Sequence, residues 1–169
     1  GYTDEITIVA EAGGVGGVPA ALPNFGSNYN AECFMVHNDM FDFIDGGGVD
    51  ITFLGLAQAD KHGNLNVSKF GRRLTGPGGF IDITNSAKKI VFAGTFMAKA
   101  KEHIEDGKLV IDEEGTVPKF IDEVEQITFA GQYARPDQTV LYVTERAVLQ
   151  LIDGKMTLIE IAPGIDLEK

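Results

Sequence analysis

Lys89-Ile90-Val91-Phe92-Ala93 is a short apolar run without polar alternation. Such a run reads as a strand covered on both faces, the pattern of a parallel sheet rather than of a half-solvated antiparallel one. Two runs of the same character flank it, Asp50–Leu56 (DITFLGL) and Thr139–Val143 (TVLYV). Upstream, Ile6–Ala10 (ITIVA) reads as another buried strand leading into the glycine-rich segment Gly13–Gly17. Lys108–Ile111 and Gln126–Ala130 read as further strands. Val148–Ile152 and Met156–Ile161 are joined by the turn pair Asp153-Gly154, which predicts a hairpin and therefore a mixed sheet. Met40–Ile44 is a candidate helix broken by Gly46-Gly47-Gly48, and Phe96–Glu105 is a second. These elements predict an α/β fold with a mostly parallel mixed sheet flanked by helices.

The length of 169 residues suits one domain, residues 1–169, around one core. With 14 Lys plus Arg against 25 Asp plus Glu, the net charge is −11. That balance argues against nucleic acid and against an anionic membrane as the main partner. A phosphorylated ligand stays open, because a few local donors offset the overall sign. Cys33 is the single cysteine, so no intrachain disulfide can form, which fits a reducing compartment and a cytoplasmic location. No apolar run approaches the ~20 residues of a membrane span. No secretory signal is visible, since the first apolar run is short and lacks a basic flank. Gly1 as first residue fits a trimmed or processed chain or a part of a longer protein.

Three segments carry candidate chemistry. In Val9-Ala10-Glu11-Ala12-Gly13-Gly14-Val15-Gly16-Gly17-Val18-Pro19, Glu11 stands where a strand is expected to end and a glycine loop to begin. Ligands favour such strand ends, and a partly desolvated carboxylate there can act as a base or nucleophile. The plain alternative is a surface glutamate before a structural turn. A dinucleotide fingerprint is rejected, because Pro19 stands where the third glycine belongs and Pro19, Pro23 and Asn24 leave no helix to follow.

The second segment runs from Gly46-Gly47-Gly48-Val49-Asp50 through the strand to Gln58–Ser68. Beyond the strand it reads either as a polar loop that carries function or as a solvated hairpin, Asp60–Asn66, turning at His62-Gly63-Asn64, and for His62 itself the turn is favoured. The third is Thr75-Gly76-Pro77-Gly78-Gly79-Phe80-Ile81-Asp82, whose adjacent glycines could present N–H groups to an anion or form a flexible turn. His37, His62 and His103 show no ligand spacing, so no metal site is expected. Cys33 and His37 read as packing neighbours.

Taken together and in this order, the segments resemble the family I coenzyme A transferases. Glu11, Gly13, Gly16 and Pro19 meet Glu-x-Gly-x-x-Gly-x-x-Pro. Gly46–Asp50 with Leu54-Gly55 meets Gly-Gly-x-Val-Asp-x-x-x-Leu-Gly, and Gly76-Pro77-Gly78-Gly79 with Asp82 meets Gly-x-Gly-Gly before an aspartate. Thr144–Val148 and Leu158–Glu160 are similar to the family's C-terminal segment. The resemblance covers nearly the whole chain and points to the second, glutamate-bearing β half of short-chain acyl-CoA:acetate, propionate or acetoacetate enzymes.

That resemblance implies a NagB/RpiA-like domain, the C-terminal half of a two-half enzyme whose other, α half completes the site within an oligomer. It implies ping-pong transfer of CoA between acyl-CoA and a small carboxylic acid through a glutamyl-CoA thioester on Glu11. Gly79 would supply an oxyanion donor, Gly78 and Gly79 would line the CoA site, and Lys99 would meet a CoA phosphate. CoA and acyl-CoA enter as substrate, with no permanently bound cofactor. Two alternatives stand beside transfer: a CoA-thioester hydrolase on the same scaffold, and a non-catalytic α/β ligand-binding domain such as a sugar-phosphate sensor.

Overall fold

The three central apolar runs form the middle of one sheet. The structure, a computed structural model, describes residues 5–21 and 23–167. Its main sheet holds β1 (Ile51–Gly55), β2 (Lys89–Ala93), β3 (Thr139–Val143), β4 (Ala147–Ile152) and β5 (Lys155–Ile161), in the order β5-β4-β3-β2-β1. β1, β2 and β3 pair in parallel, and β4 is antiparallel to both β3 and β5. Four strands therefore run one way and β4 runs against them, the mixed sheet that the sequence predicts. The β4–β5 turn places Asp153 and Gly154 at φ 52° and 71°, the left-handed pair of a tight hairpin.

Register explains which side chains make the core. Leu54, Phe92 and Tyr142 lie in one row across β1–β3, and Phe53, Val91 and Leu141 lie in the next, on the opposite face. Phe92 and Tyr142 are fully buried, with ring centroids 5.3 Å apart, and Phe80 stacks on Phe92 at 5.6 Å. Phe80 begins helix α2 (Phe80–Ser86), which follows helix α1 (His37–Asp45) in the chain. Met40 and Ile44, one turn apart on α1, pack on Ile83 of α2, with Leu54 and Val49 beside them. Both helices thus attach through the Leu54–Phe92 face. Phe53, on the other face, stays 69% exposed.

The glycine triplet ends α1 as expected. The Gly46 amide donates to Asp42 and that of Gly47 to Ile44, with Gly47 at φ 84°. A side chain on Gly48 would run into the Phe43 ring.

Three expected elements differ. Phe96–Glu105 is not a helix: Met97–Ala98 pairs with Val117–Pro118, and Lys101–Glu105 forms a hairpin with Lys108–Glu113. Lys99 at φ 66° breaks any helix there, and Asp106-Gly107, both left-handed, turns the hairpin. Gln126–Ala130 is a covering loop, bridged only at Phe129 to Leu65, because the Thr128 and Phe129 amides both go to the Leu65 carbonyl. Ile6–Ala10 is not a buried strand. Ile6 is 58% exposed, and Val9 alone makes a bridge, to Val15. The run lacks the ladder partner on its second side that would make it one. No helix among the described residues is long and apolar enough to cross a membrane.

Candidate functional site

Glu11 projects from a tight turn instead of a strand end. The Gly13 amide donates to the Ala10 carbonyl at 2.9 Å and the Ala10 amide to Gly14 at 2.8 Å, which leaves Glu11 and Ala12 as the two central turn residues. Gly14–Val15 pairs antiparallel with Cys33–Phe34, and the Met35 amide donates to the Gly13 carbonyl. Gly13 sits at φ 116°, and a Cβ there would collide with the Met35 carbonyl oxygen, so glycine is required for the turn to close.

The second wall comes from Gly76–Gly79. Gly76 and Gly78 are left-handed, at φ 76° and 56°, and the Phe80 amide donates back to Pro77. This turn leaves the Gly79 N–H free of the helix. It donates to Oε1 of Glu11 at 3.2 Å, across 68 positions of sequence. A Cβ on Gly79 would lie 2.5 Å from Phe41 Cζ and 2.9 Å from Glu11 Cδ, while one on Gly78 would lie 3.9 Å from Glu11 Oε1. Glu11 is half-buried, Gly79 buried and Gly78 exposed. Because α2 leads into β2, it starts at the end of the sheet where β1 and β2 finish, the usual place for ligands in such folds. The carboxylate and the Gly79 amide predicted to share a site are therefore in direct contact.

Lys99 is exposed, in the turn between Met97–Ala98 and Lys101–Glu105. His62 is exposed in its turn, as expected. The hairpin around it is not solvated, however. Asp60 is 3% exposed and accepts from the amides of His62 and Asn64 and from the Asn64 side chain. Asn66 is fully buried and bonded to Gln58, Ser68 and Lys69. Tyr142 donates to the Gly63 carbonyl at 2.5 Å, and burial, then the Asp60 charge, push its phenol far above the ordinary value. These polar side chains replace sheet bonds that the loop backbone lacks.

Sequence reading gave Arg146 no role of its own. Its buried guanidinium meets Glu102 at 2.7 Å, Glu114 at 2.9 Å and Glu145 at 3.2 Å, and lies 5.3 Å over the Phe96 ring. Both oxygens of Glu145 accept from the Phe96 amide at 3.0 Å. The cluster ties the segment after β2 to the β3–β4 turn and the 101–113 hairpin. Its only sequence signal is a charged pair, Glu145-Arg146, between two apolar runs. Arg146 also lines a cleft of about 930 Å³ with Phe96, Ile111, Leu158 and Ile161, away from Glu11. No group of three or more ligand-type side chains able to hold a metal occurs among the described residues.

No protein-family profile matches the chain. Caffeate CoA-transferase of Acetobacterium woodii is 62% identical over 175 residues, which take in 100% of this chain and 33% of that protein. The β subunit of acetate CoA-transferase from Escherichia coli K12 is 33% identical over 96% of this chain and 70% of the subunit. The crystal structure of the acyl-CoA transferase YdiF of Escherichia coli O157:H7, as a thioester complex with CoA, superimposes with a TM-score of 0.91. It is 44% identical and covers 99% of this chain and 32% of that one. The chain thus spans about a third of the length of the curated relatives it matches first.

Proposed function

The chain belongs to the family I coenzyme A transferases and corresponds to their β half, and on that premise we propose that Glu11 is the nucleophile of a ping-pong transfer of CoA between a short-chain acyl-CoA and a carboxylic acid. The single observation that carries this reading is the hydrogen bond from Gly79 N–H to Oε1 of Glu11. It distinguishes the two carboxylate oxygens: Oε1 is held by a donor and Oε2 is left to attack.

The reaction then proceeds in balanced steps. Oε2 attacks the thioester carbonyl of the donor, CoA thiolate leaves, and a mixed anhydride forms. The thiolate attacks Cδ of Glu11, the donor carboxylate departs, and Glu11 becomes a glutamyl-CoA thioester. The acceptor carboxylate attacks Cδ, releases thiolate and forms a second anhydride. Attack of the thiolate on the acceptor's acyl carbon yields the new acyl-CoA and restores Glu11. Each attack on Cδ makes that carbon tetrahedral and moves charge onto Oε1, where the Gly79 donor already stands. A 3.2 Å contact in the resting state shortens as that charge develops. Gly78 leaves the approach to the carboxylate open, and Lys99 offers its ammonium to a CoA phosphate.

The α half supplies the second oxyanion donor and much of the acid-binding surface, so these 169 residues alone have little or no activity. The test is CoA exchange between short-chain acids by the complete two-half enzyme, with Glu11→Gln alongside. Transfer that disappears in Glu11→Gln supports the reading, and transfer that persists removes Glu11 from it.

A further inference from the structure

Phe41 stands against the contact between Glu11 and Gly79. The point that a Cβ on Gly79 would take lies 2.5 Å from Phe41 Cζ, 2.8 Å from Phe41 Cε1 and 2.9 Å from Glu11 Cδ. Nonbonded carbons settle about 3.5–4.0 Å apart, so neither a methyl nor a water fits between the ring edge and the carboxyl carbon on that side. What faces Cδ there is an aromatic edge together with the Gly79 N–H that holds Oε1.

The ring is braced where it stands. His37, one turn earlier on α1, meets it edge-on with centroids 5.0 Å apart. Phe41 is partly buried and packs on the Met40–Ile44–Ile83 cluster, which joins α1 to α2. Gly79 is the N-cap of α2. The Met35 amide, just ahead of α1, donates to the Gly13 carbonyl at 2.9 Å and ties the helix to the Glu11 turn. One helix is thus fastened to both turns that meet at the carboxylate, and Phe41 is a side chain of that helix that reaches it.

We propose that Phe41 is a positioning residue that closes the Gly79 side of Glu11 Cδ to water and so keeps the bound CoA for transfer instead of hydrolysis. The inference rests on the reading that Glu11 carries CoA as a thioester. In that state Cδ is the electrophile, and a carboxylic acid and water compete for it. Attack by water forms a C–O bond, breaks the C–S bond and restores the Glu11 carboxylate. One proton of the water goes to the CoA thiolate and the other to solvent, so the net result is acyl-CoA hydrolysis. Excluding water from the site suppresses that side reaction. The ring edge does so without a polar atom that could hold a water in line with Cδ, and its bracing keeps the carboxylate against the Gly79 donor.

The test gives the complete enzyme acyl-CoA and an acceptor acid, and measures new acyl-CoA and free CoA thiol in the same sample. Phe41→Leu keeps apolar packing between α1 and α2 but ends short of the Cζ position. It should raise the ratio of free to transferred CoA by about tenfold, a barrier difference of about 1.4 kcal/mol. Phe41→Met, whose unbranched chain refills the gap, should bring the ratio back toward the parent's. Leu109→Ala removes a buried side chain from the strand Lys108–Glu113 and should leave the ratio at the parent's value, which separates lost stability from a lost wall. An unchanged ratio in a folded Phe41→Leu enzyme that still forms the adduct at Glu11 overturns the inference and leaves the transferase reading intact. If Phe41→Leu does not fold, the parent decides: without acceptor its adduct should outlast a transfer turnover, and hydrolysis as fast as transfer overturns the inference. A parent that forms no adduct at Glu11 removes the reading and the inference with it.

Discussion

The Gly79 amide reaches Oε1 of Glu11 at 3.2 Å, and the space for that approach exists only because Gly79 lacks a Cβ. Two turns far apart in sequence meet there, each closed by left-handed glycines. The same geometry that lets the donor touch the carboxylate makes the position intolerant of any side chain.

Gly79→Ala is the first prediction. The new methyl would sit 2.5 Å from Phe41 Cζ and 2.9 Å from Glu11 Cδ, so the ring or the carboxylate must move. The amide donor survives the substitution, so any loss comes from misplacement, and displacement of about 1 Å costs around a hundredfold in rate. In the complete enzyme kcat should fall by about that factor while circular dichroism stays unchanged. A rate equal to the parent's would show that the contact has no part in turnover.

Arg146→Met tests the charged cluster. The substitution keeps volume but leaves Glu102 and Glu145 facing each other without their shared cation. Breaking a buried ion pair from one side costs about 3 kcal/mol or more. Glu102 and Glu145 retain some water contact, with side chains 14% and 23% exposed, so the lower end applies. Urea unfolding should report that loss. A change below about 0.5 kcal/mol, the size of an ordinary surface substitution, would mean the cluster does not hold this edge together.

Glu114 gives a pH signature. Its hydrogen bond to Arg146 holds its carboxyl below the ordinary glutamate value. A folded-state value lower than the unfolded one adds stability above the unfolded value, about 4.3 for glutamate. That contribution is lost as pH falls through the lower folded value. The stability difference between the parent and Glu114→Gln should therefore be constant from about pH 6 upward and shrink below about pH 4.3. A difference that grows on acidification would reverse the sign and contradict the assignment.

The sheet was legible because β1, β2 and β3 are continuous apolar runs and because Asp153-Gly154 is an unambiguous hairpin turn. Glu11 and Gly79 were legible as a pair only through their combined motifs, since neither turn names its partner 68 residues away. Ile6–Ala10 misled because its composition suits a strand paired on both sides, while the described residues offer pairing on one. Phe96–Glu105 misled because its composition suits a helix, while Lys99 takes a left-handed φ and Asp106-Gly107 turns the run back into a hairpin. The buried polar loops around Asp60, Asn66 and Tyr142 left no trace, since their stability depends on partners such as Thr128, brought together only by folding.

The central claim is that Glu11 becomes covalently bonded to CoA, and trapping that bond tests it most directly. The complete enzyme is incubated with acyl-CoA, treated with borohydride, digested and analysed by mass spectrometry. The thioester should be reduced to the alcohol at residue 11, and Glu11→Ala should give no reduced residue. Reduction mapped to another side chain, or an adduct that persists in Glu11→Ala, would contradict the account.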